Sequence, residues 1–249
     1  MTSWCPDFRQ QSKVSSLYTT DYAGVADADF DNAKIPIPTT SIPDSNNVEF
    51  RGLEMDKIEN IVELCPNALH RVTYSPQKAE FVLRCEARCL ELSKVVLGTN
   101  DRIPHQHIET LVTGMHPNRS VYDIAQAVQD YHSMRAILQE VIAQNGASHS
   151  VSQDQKRLVS AQKYAGAMSV SWVGSSFFST EGGRIGIGPE SMKTGDSICI
   201  FFGAHVPHIL QFDSVRKIHL LVRSAFVSDL MDATEFYAKD PCNTYKALW

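Results

Sequence analysis

VSWVGSSFFSTEGGRIGIGPESMKTGDSICIFFGAHVPHILQFDSVRKIHLLVRSAFVSDLMD, residues 170–232, decides the fold. Short runs of β-branched and aromatic residues alternate here with turn signals: Glu181-Gly182-Gly183, Gly188-Pro189, Thr194-Gly195-Asp196 and Phe212-Asp213-Ser214. Apolar runs of four to eight residues, punctuated in this way, build antiparallel strands that close a small sheet or barrel. The spacing predicts strands at Val170–Thr180, Arg184–Gly188, Ser197–Phe202 and Val206–Phe212, with a fifth from Lys217 to Val227. The glycines of residues 182–188 are not a dinucleotide cradle, which needs its Gly-rich turn between a strand and a helix; here a strand follows. They read as hairpin turn and close strand packing.

Upstream the period changes. Ala79, Val82, Cys85, Cys89 and Leu92 recur at three- and four-residue steps, the spacing of an apolar helix face, with Ser75-Pro76 at the start and Gly98 at the end. A second helix is expected after Ser120. Ser120 and Asp123 form its capping box, and Ile124, Val128, Tyr131, Met134 or Arg135, Leu138 and Ile142 form its stripe; Asn145-Gly146 stops it. A linker over Gly146–Gln153 leads to a third helix at Asp154–Met168. Further back, Val48–Leu64 fits either a strand or a helical turn; the strand is the preferred reading and is expected to complete the barrel. Residues 1–47 lack periodicity, and the prolines of Ile35-Pro36-Ile37-Pro38 and Ile42-Pro43 hold them extended. The expected architecture is α+β: an extended arm over residues 1–47, anchored by Trp4 and Phe8, then one domain over residues 48–249. That domain is a small, mostly C-terminal antiparallel barrel with a helical segment at about 77–168.

Composition removes several function classes. The chain has 249 residues, 43% hydrophobic and 20% charged, enough for a substantial core. A formal charge of −5 and the lack of a Lys/Arg cluster give no electrostatic basis for nucleic acid. No apolar run approaches the ~20 residues of a membrane span. MTSWCPDFRQ lacks the basic and apolar regions of a secretory signal, so a cytoplasmic location is expected. The six cysteines (Cys5, Cys65, Cys85, Cys89, Cys199 and Cys242) are then expected to be free thiols.

Gly183-Arg184-Ile185-Gly186-Ile187-Gly188-Pro189, followed by Lys193-Thr194-Gly195-Asp196-Ser197-Ile198-Cys199, resembles a G-x-I-G-L-G-P … x-x-G-D-x-V signature. That signature belongs to the C-terminal half of fungal heterokaryon-incompatibility (HET) proteins. Four further stretches keep the family's order: Ser3-Trp4-Cys5-Pro6-Asp7-Phe8, His107-Ile108-Glu109-Thr110-Leu111, Val206-Pro207-His208-Ile209-Leu210, and Ala225 to Asp232. The sequence departs from the pattern at Gln211, at Ser228-Asp229 (for His-Gly) and at Ala233 (for Gly). The resemblance implies the C-terminal barrel. The chain starts at the S-W-x-P-D element, so the N-terminal HET module that carries the family's cell-death function is expected to be missing.

Few residues carry chemistry. Asp196 is expected to bond backbone N–H groups in its turn, with catalytic carboxylate as the alternative. His105, His107 and Glu109 are candidate metal ligands: His105 and Glu109 share a face of a helix, and all three share a face of a strand. A solvated helix start is the simpler reading. His205 and His208 flank Val206-Pro207, and at most one of them faces the barrel interior as an acid or base. Cys85 and Cys89 read as core filling. Catalytic candidates are therefore His205, His208, Asp196 and His107. No cofactor is implied, and no G-x-S-x-G elbow or P-loop is present. Two functions follow as expectations. One is a binding or scaffold module for a protein partner or an apolar small molecule. The other is an isomerase- or cyclase-type enzyme of fungal secondary metabolism, working by positioning and acid–base catalysis.

Overall fold

The computed structural model describes residues 47–64, 75–99, 102–114, 121–143, 155–201, 206–231 and 243–248, with backbone alone at 47–51 and 243–248. The arm with Trp4 and Phe8, the cap at Ser120, His205, Cys5, Cys65 and Cys242 lie outside the described residues. The fold is α+β. The described residues divide into two compact units, one made of those up to 61 together with those from 178 onward, and one within 62–177.

The first unit is the barrel. Its strands are β1 (Asn47–Glu63), β2 (Ser175–Thr180), β3 (Ile185–Pro189), β4 (Ser197–Phe201), β5 (His208–Asp213), β6 (Ile218–Ser224), β7 (Phe226–Val227) and β8 (Asn243–Leu248). They form one sheet in the order β4-β5-β6-β8-β1-β2-β3-β7, and a further β4–β1 pairing closes the first five into a ring. All pairings with a defined register are antiparallel except β6–β8, which is parallel. Val48–Leu64 does complete the barrel. β1 pairs with β8 over residues 47–52 and with β4 from Gly52 to Lys57, so Gly52 lies where three strands meet. Only glycine suits that place, because a Cβ would stand 2.5 Å from the Ile200 carbonyl oxygen.

Beyond Gly52 a register shift between Glu54 and Asp56 breaks the β1–β4 ladder. The carboxylate of Asp56 satisfies the groups around that irregularity. It accepts from its neighbour's N–H at Lys57 (2.8 Å), from Gly182 N–H (2.9 Å) and from Arg184 Nη1 (2.8 Å), tying β1 to the β2–β3 turn. Inside, Leu53, Met55, Ile58, Phe178, Met192, Ile198, Ile200, Ile209, Ala225, Val227 and Leu230 form one apolar cluster. The expected strand from Val170 starts five residues later, because residues 170–172 continue a helix.

The second unit is helical: α1 (Pro76–Leu97), α2 (His105–Leu111), α3 (Ile124–Ala143) and α4 (Gln155–Trp172). Ser75 caps α1 by accepting from Lys78 N–H, Pro76 opens its first turn, and Gly98 ends it in the left-handed region at φ 65°. The start of α3 is displaced from the expected Ser120 to Asp123, whose carboxylate accepts from Gln126 N–H at 2.8 Å. Its buried face is Ala127, Asp130, Tyr131, Met134, Ile137, Leu138 and Val141, rotated from the predicted stripe so that Ile124 stays exposed. α4 runs past Met168 to Trp172, whose indole N–H donates to the Leu111 carbonyl (3.2 Å). Tyr164, also on α4, donates to the Ile108 carbonyl at 2.7 Å, so two aromatic donors hold α2 by its C-terminal half.

Candidate functional site

Several buried polar groups of the helical unit gather around one residue, His107. Its ring is fully buried, which corrects the reading of residues 105–109 as a solvated helix start. α2 turns by about 100° per residue, so His105 is left exposed and Glu109 half-buried while His107 faces inward. The helix therefore does not bring the three candidate metal ligands together. No group of three His, Cys, Asp or Glu side chains suited to a metal ion occurs among the described residues.

Around His107 lie groups from two other helices. On α1, Ser93 Oγ is 2.9 Å from Nδ1, and Glu86 Oε1 is 3.4 Å from Nε2. On α3, Tyr131 donates its hydroxyl to Glu86 Oε1, and Arg135 Nη1 donates to the same oxygen at 3.4 Å and to the Tyr131 hydroxyl at 3.1 Å. Glu86 Oε2 is buried and has no hydrogen-bond partner. The His107 ring also meets Tyr131 and Phe177 edge-on, at centroid distances of 6.2 and 6.1 Å. Glu86 reaches this place because it occupies the apolar stripe of α1, between Cys85 and Cys89.

Burial would raise the Glu86 carboxyl, but hydrogen bonds from His107 and Tyr131 and the charge of Arg135 outweigh it, leaving its pKa below the ordinary value. For His107 burial wins over the attraction of Glu86, and its pKa is lowered. Burial and the neighbouring Glu86 carboxylate push the Tyr131 hydroxyl up, so it stays a donor. A second buried carboxylate, Asp130, accepts from the Tyr122 hydroxyl and Gln126 Nε2, each at 2.8 Å. Ser93, His107 and Glu86 stand in the order hydroxyl, imidazole, carboxylate. All three are sealed from solvent, and among the described residues Arg135, 25% exposed, links the cluster to the surface.

The candidates on the barrel lie in different surroundings. Asp196 Oδ2 accepts from Lys193 N–H at 2.7 Å, so the carboxylate closes the turn before β4. Burial raises its pKa against the opposing pull of that bond. His208 opens β5 with its ring against Phe201 at 5.3 Å. Burial lowers its pKa to about 4, and its Nδ1 is buried without a partner. Cys85, Cys89 and Cys199 are buried thiols, and burial raises the pKa of Cys89.

Sequence reasoning named His107 but not Glu86, Ser93, Tyr131 or Arg135 as its partners. The available signal was a glutamate on an apolar helix stripe. Lys, Glu, Arg and Asp are almost never fully buried unless paired.

Compared with known proteins, the chain matches the model of the Het-6 beta-barrel domain over residues 103–240, more than half its length. No curated protein and no solved structure matches it. The matched span runs from α2 through β7, and so takes in His107, the barrel turns and the G-x-I-G-x-G-P stretch that first suggested the family. The chain belongs to the Het-6 β-barrel domain family.

Proposed function

We propose that this chain acts as a binding or scaffold module rather than as a catalyst. The observation that carries the reading is the apolar cluster of the barrel, in which the described side chains from Leu53 to Leu230 pack against one another. A barrel that binds a small ligand within needs an unfilled interior lined by a few converging polar groups. The acid–base residues of the helical unit are likewise enclosed, with Ser93, His107 and Glu86 all out of reach of a substrate. On this reading the outer surface of the barrel, with Phe212 (52% exposed) and Val215 (89% exposed) around the β5–β6 turn, is the part that meets a protein partner or an apolar molecule.

A second reading, a small-molecule isomerase or cyclase of secondary metabolism, has one observation in its favour. The Glu86–His107–Tyr131–Arg135 cluster holds the side-chain types of an acid–base site. An untargeted metabolite comparison between a strain lacking the gene and its parent separates the two. An unchanged profile, under conditions where the gene is expressed, is expected of the binding module. Loss of one product with build-up of a related precursor would overturn it in favour of the enzyme.

A further inference from the structure

The chemistry of its partners fixes where the protons around His107 sit. Glu86 Oε1 takes the Tyr131 hydroxyl and Arg135 Nη1, so Glu86 is an ionised acceptor. The proton between it and His107 therefore belongs to Nε2. A neutral imidazole with its proton on Nε2 leaves Nδ1 bare, facing Ser93 Oγ at 2.9 Å, and the Ser93 hydroxyl is then the donor. That same Oγ lies 2.8 Å from the Cys89 carbonyl oxygen, a second acceptor one helical turn back. One hydroxyl proton thus has two acceptors within reach. If Nδ1 gains a proton, Ser93 can turn its own proton to Cys89 and accept from Nδ1. Both charge states of His107 are hydrogen-bonded at both ring nitrogens, with no heavy atom displaced.

We propose that Ser93, His107 and Glu86 form an acid-sensitive latch joining α1, α2 and α3, in which the Ser93 hydroxyl reverses its role as His107 takes up a second proton. At rest the cluster is neutral, the Glu86 carboxylate matching the Arg135 guanidinium. The added charge would face Glu86, Lys94 and the Cys85 and Cys89 thiols from α1, Tyr131 and Arg135 from α3, Tyr164 behind Tyr131 from α4, and the Phe177 ring. Set beside Arg135 in a dry interior, it would loosen the joint while its hydrogen bonds persist. His107 is lowered in the folded state. The unfolded chain therefore takes up the proton first. The latch is at full strength above pH ~6.5 and weakens as the pH falls below it.

Nitrogen-15 NMR of the histidine rings in the full chain, titrated from pH 8 to pH 5, tests this. The expected result is the Nε2–H tautomer for His107 at pH 7.5 and protonation on the acid side of the ordinary histidine range. A Ser93→Ala variant leaves the imidazolium Nδ1–H without an acceptor, so its midpoint should fall by about one pH unit, a tenfold loss of proton affinity. An Nδ1–H tautomer or a charged His107 at pH 7.5 would overturn the latch, as would an unchanged midpoint in Ser93→Ala. The tautomer of the unmodified chain decides the matter even if that variant does not fold.

Discussion

The barrel and the helical unit solve the same problem with opposite materials. The barrel interior is apolar from Leu53 to Leu230, and its carboxylates, Asp56 and Asp196, sit at an irregularity and a turn where they serve backbone N–H groups. The helical interior buries Glu86, Ser93, His107 and Asp130 outright. Backbone chemistry explains the contrast. Strands bond to one another, so a ladder such as Ser197↔Leu210 to Cys199↔His208 already fixes their relative register. Helices satisfy their backbone internally, so nothing in the main chain says how one should be rotated against the next. In this unit side chains supply that information, with His107 touching both α1 and α3.

The contrast can be broken at its strongest point. Glu86→Ala leaves Arg135 and His107 without their shared acceptor and should cost about 3–5 kcal/mol by urea unfolding, the range for breaking a buried pair. A loss below about 1 kcal/mol would mean that the cluster does not hold the helices. On the barrel side the corresponding weakness is steric. A Cβ at Gly186 would collide with the Phe178 ring and the Phe226 carbonyl, so Gly186→Ala should cost about 1–3 kcal/mol. Arg184→Met removes a partly buried partner of Asp56 and should cost about 1 kcal/mol. The pKa of Asp56 is lowered, since its hydrogen bonds from Thr180, Lys57, Gly182 and Arg184 outweigh burial. Its contribution is present above the unfolded value of 3.8 and lost as the pH falls through the folded one, and Arg184→Met should flatten that acid loss in a melting series. The smallest effect is expected at the β5–β6 tip, where Val215→Ser should change stability by no more than about 0.5 kcal/mol.

Much of the barrel was legible because turns carry their own chemistry. Gly183 and Gly195 occupy φ of 81° and 88°, which the sequence announces as glycine at each place. The misplaced start of β2 is equally physical. Ser171, Trp172 and Val173 look like strand residues, yet Trp172 reaches Leu111 through its indole N–H, and that tertiary bond keeps the helix going until Gly174, at φ 62°, turns the chain. For α3 the rule of a polar cap three residues before its partner chose Ser120, whereas Asp123 caps without needing that partner. The His107 cluster was hidden for another reason. Its members are separated by 14, 21 and 45 residues along the chain, and no local pattern links such positions. Only the placement of Glu86 among apolar neighbours hinted at it.

The path of β1 bears on how the protein is made. This strand borders β4 and β8, which are encoded far downstream, with the whole helical unit between. On a ribosome adding about 5–20 residues per second, residues 47–63 emerge roughly 10–40 s before residues 243–248. The helices, whose partners lie close in sequence, can assemble before β2, β4 and β8 have emerged, while β1 waits with its edges unclaimed. Nascent chains that have exposed residues up to 172 but not beyond should therefore show protease-resistant helices and a β1 segment that is still cut, making this strand the natural client of a holding chaperone.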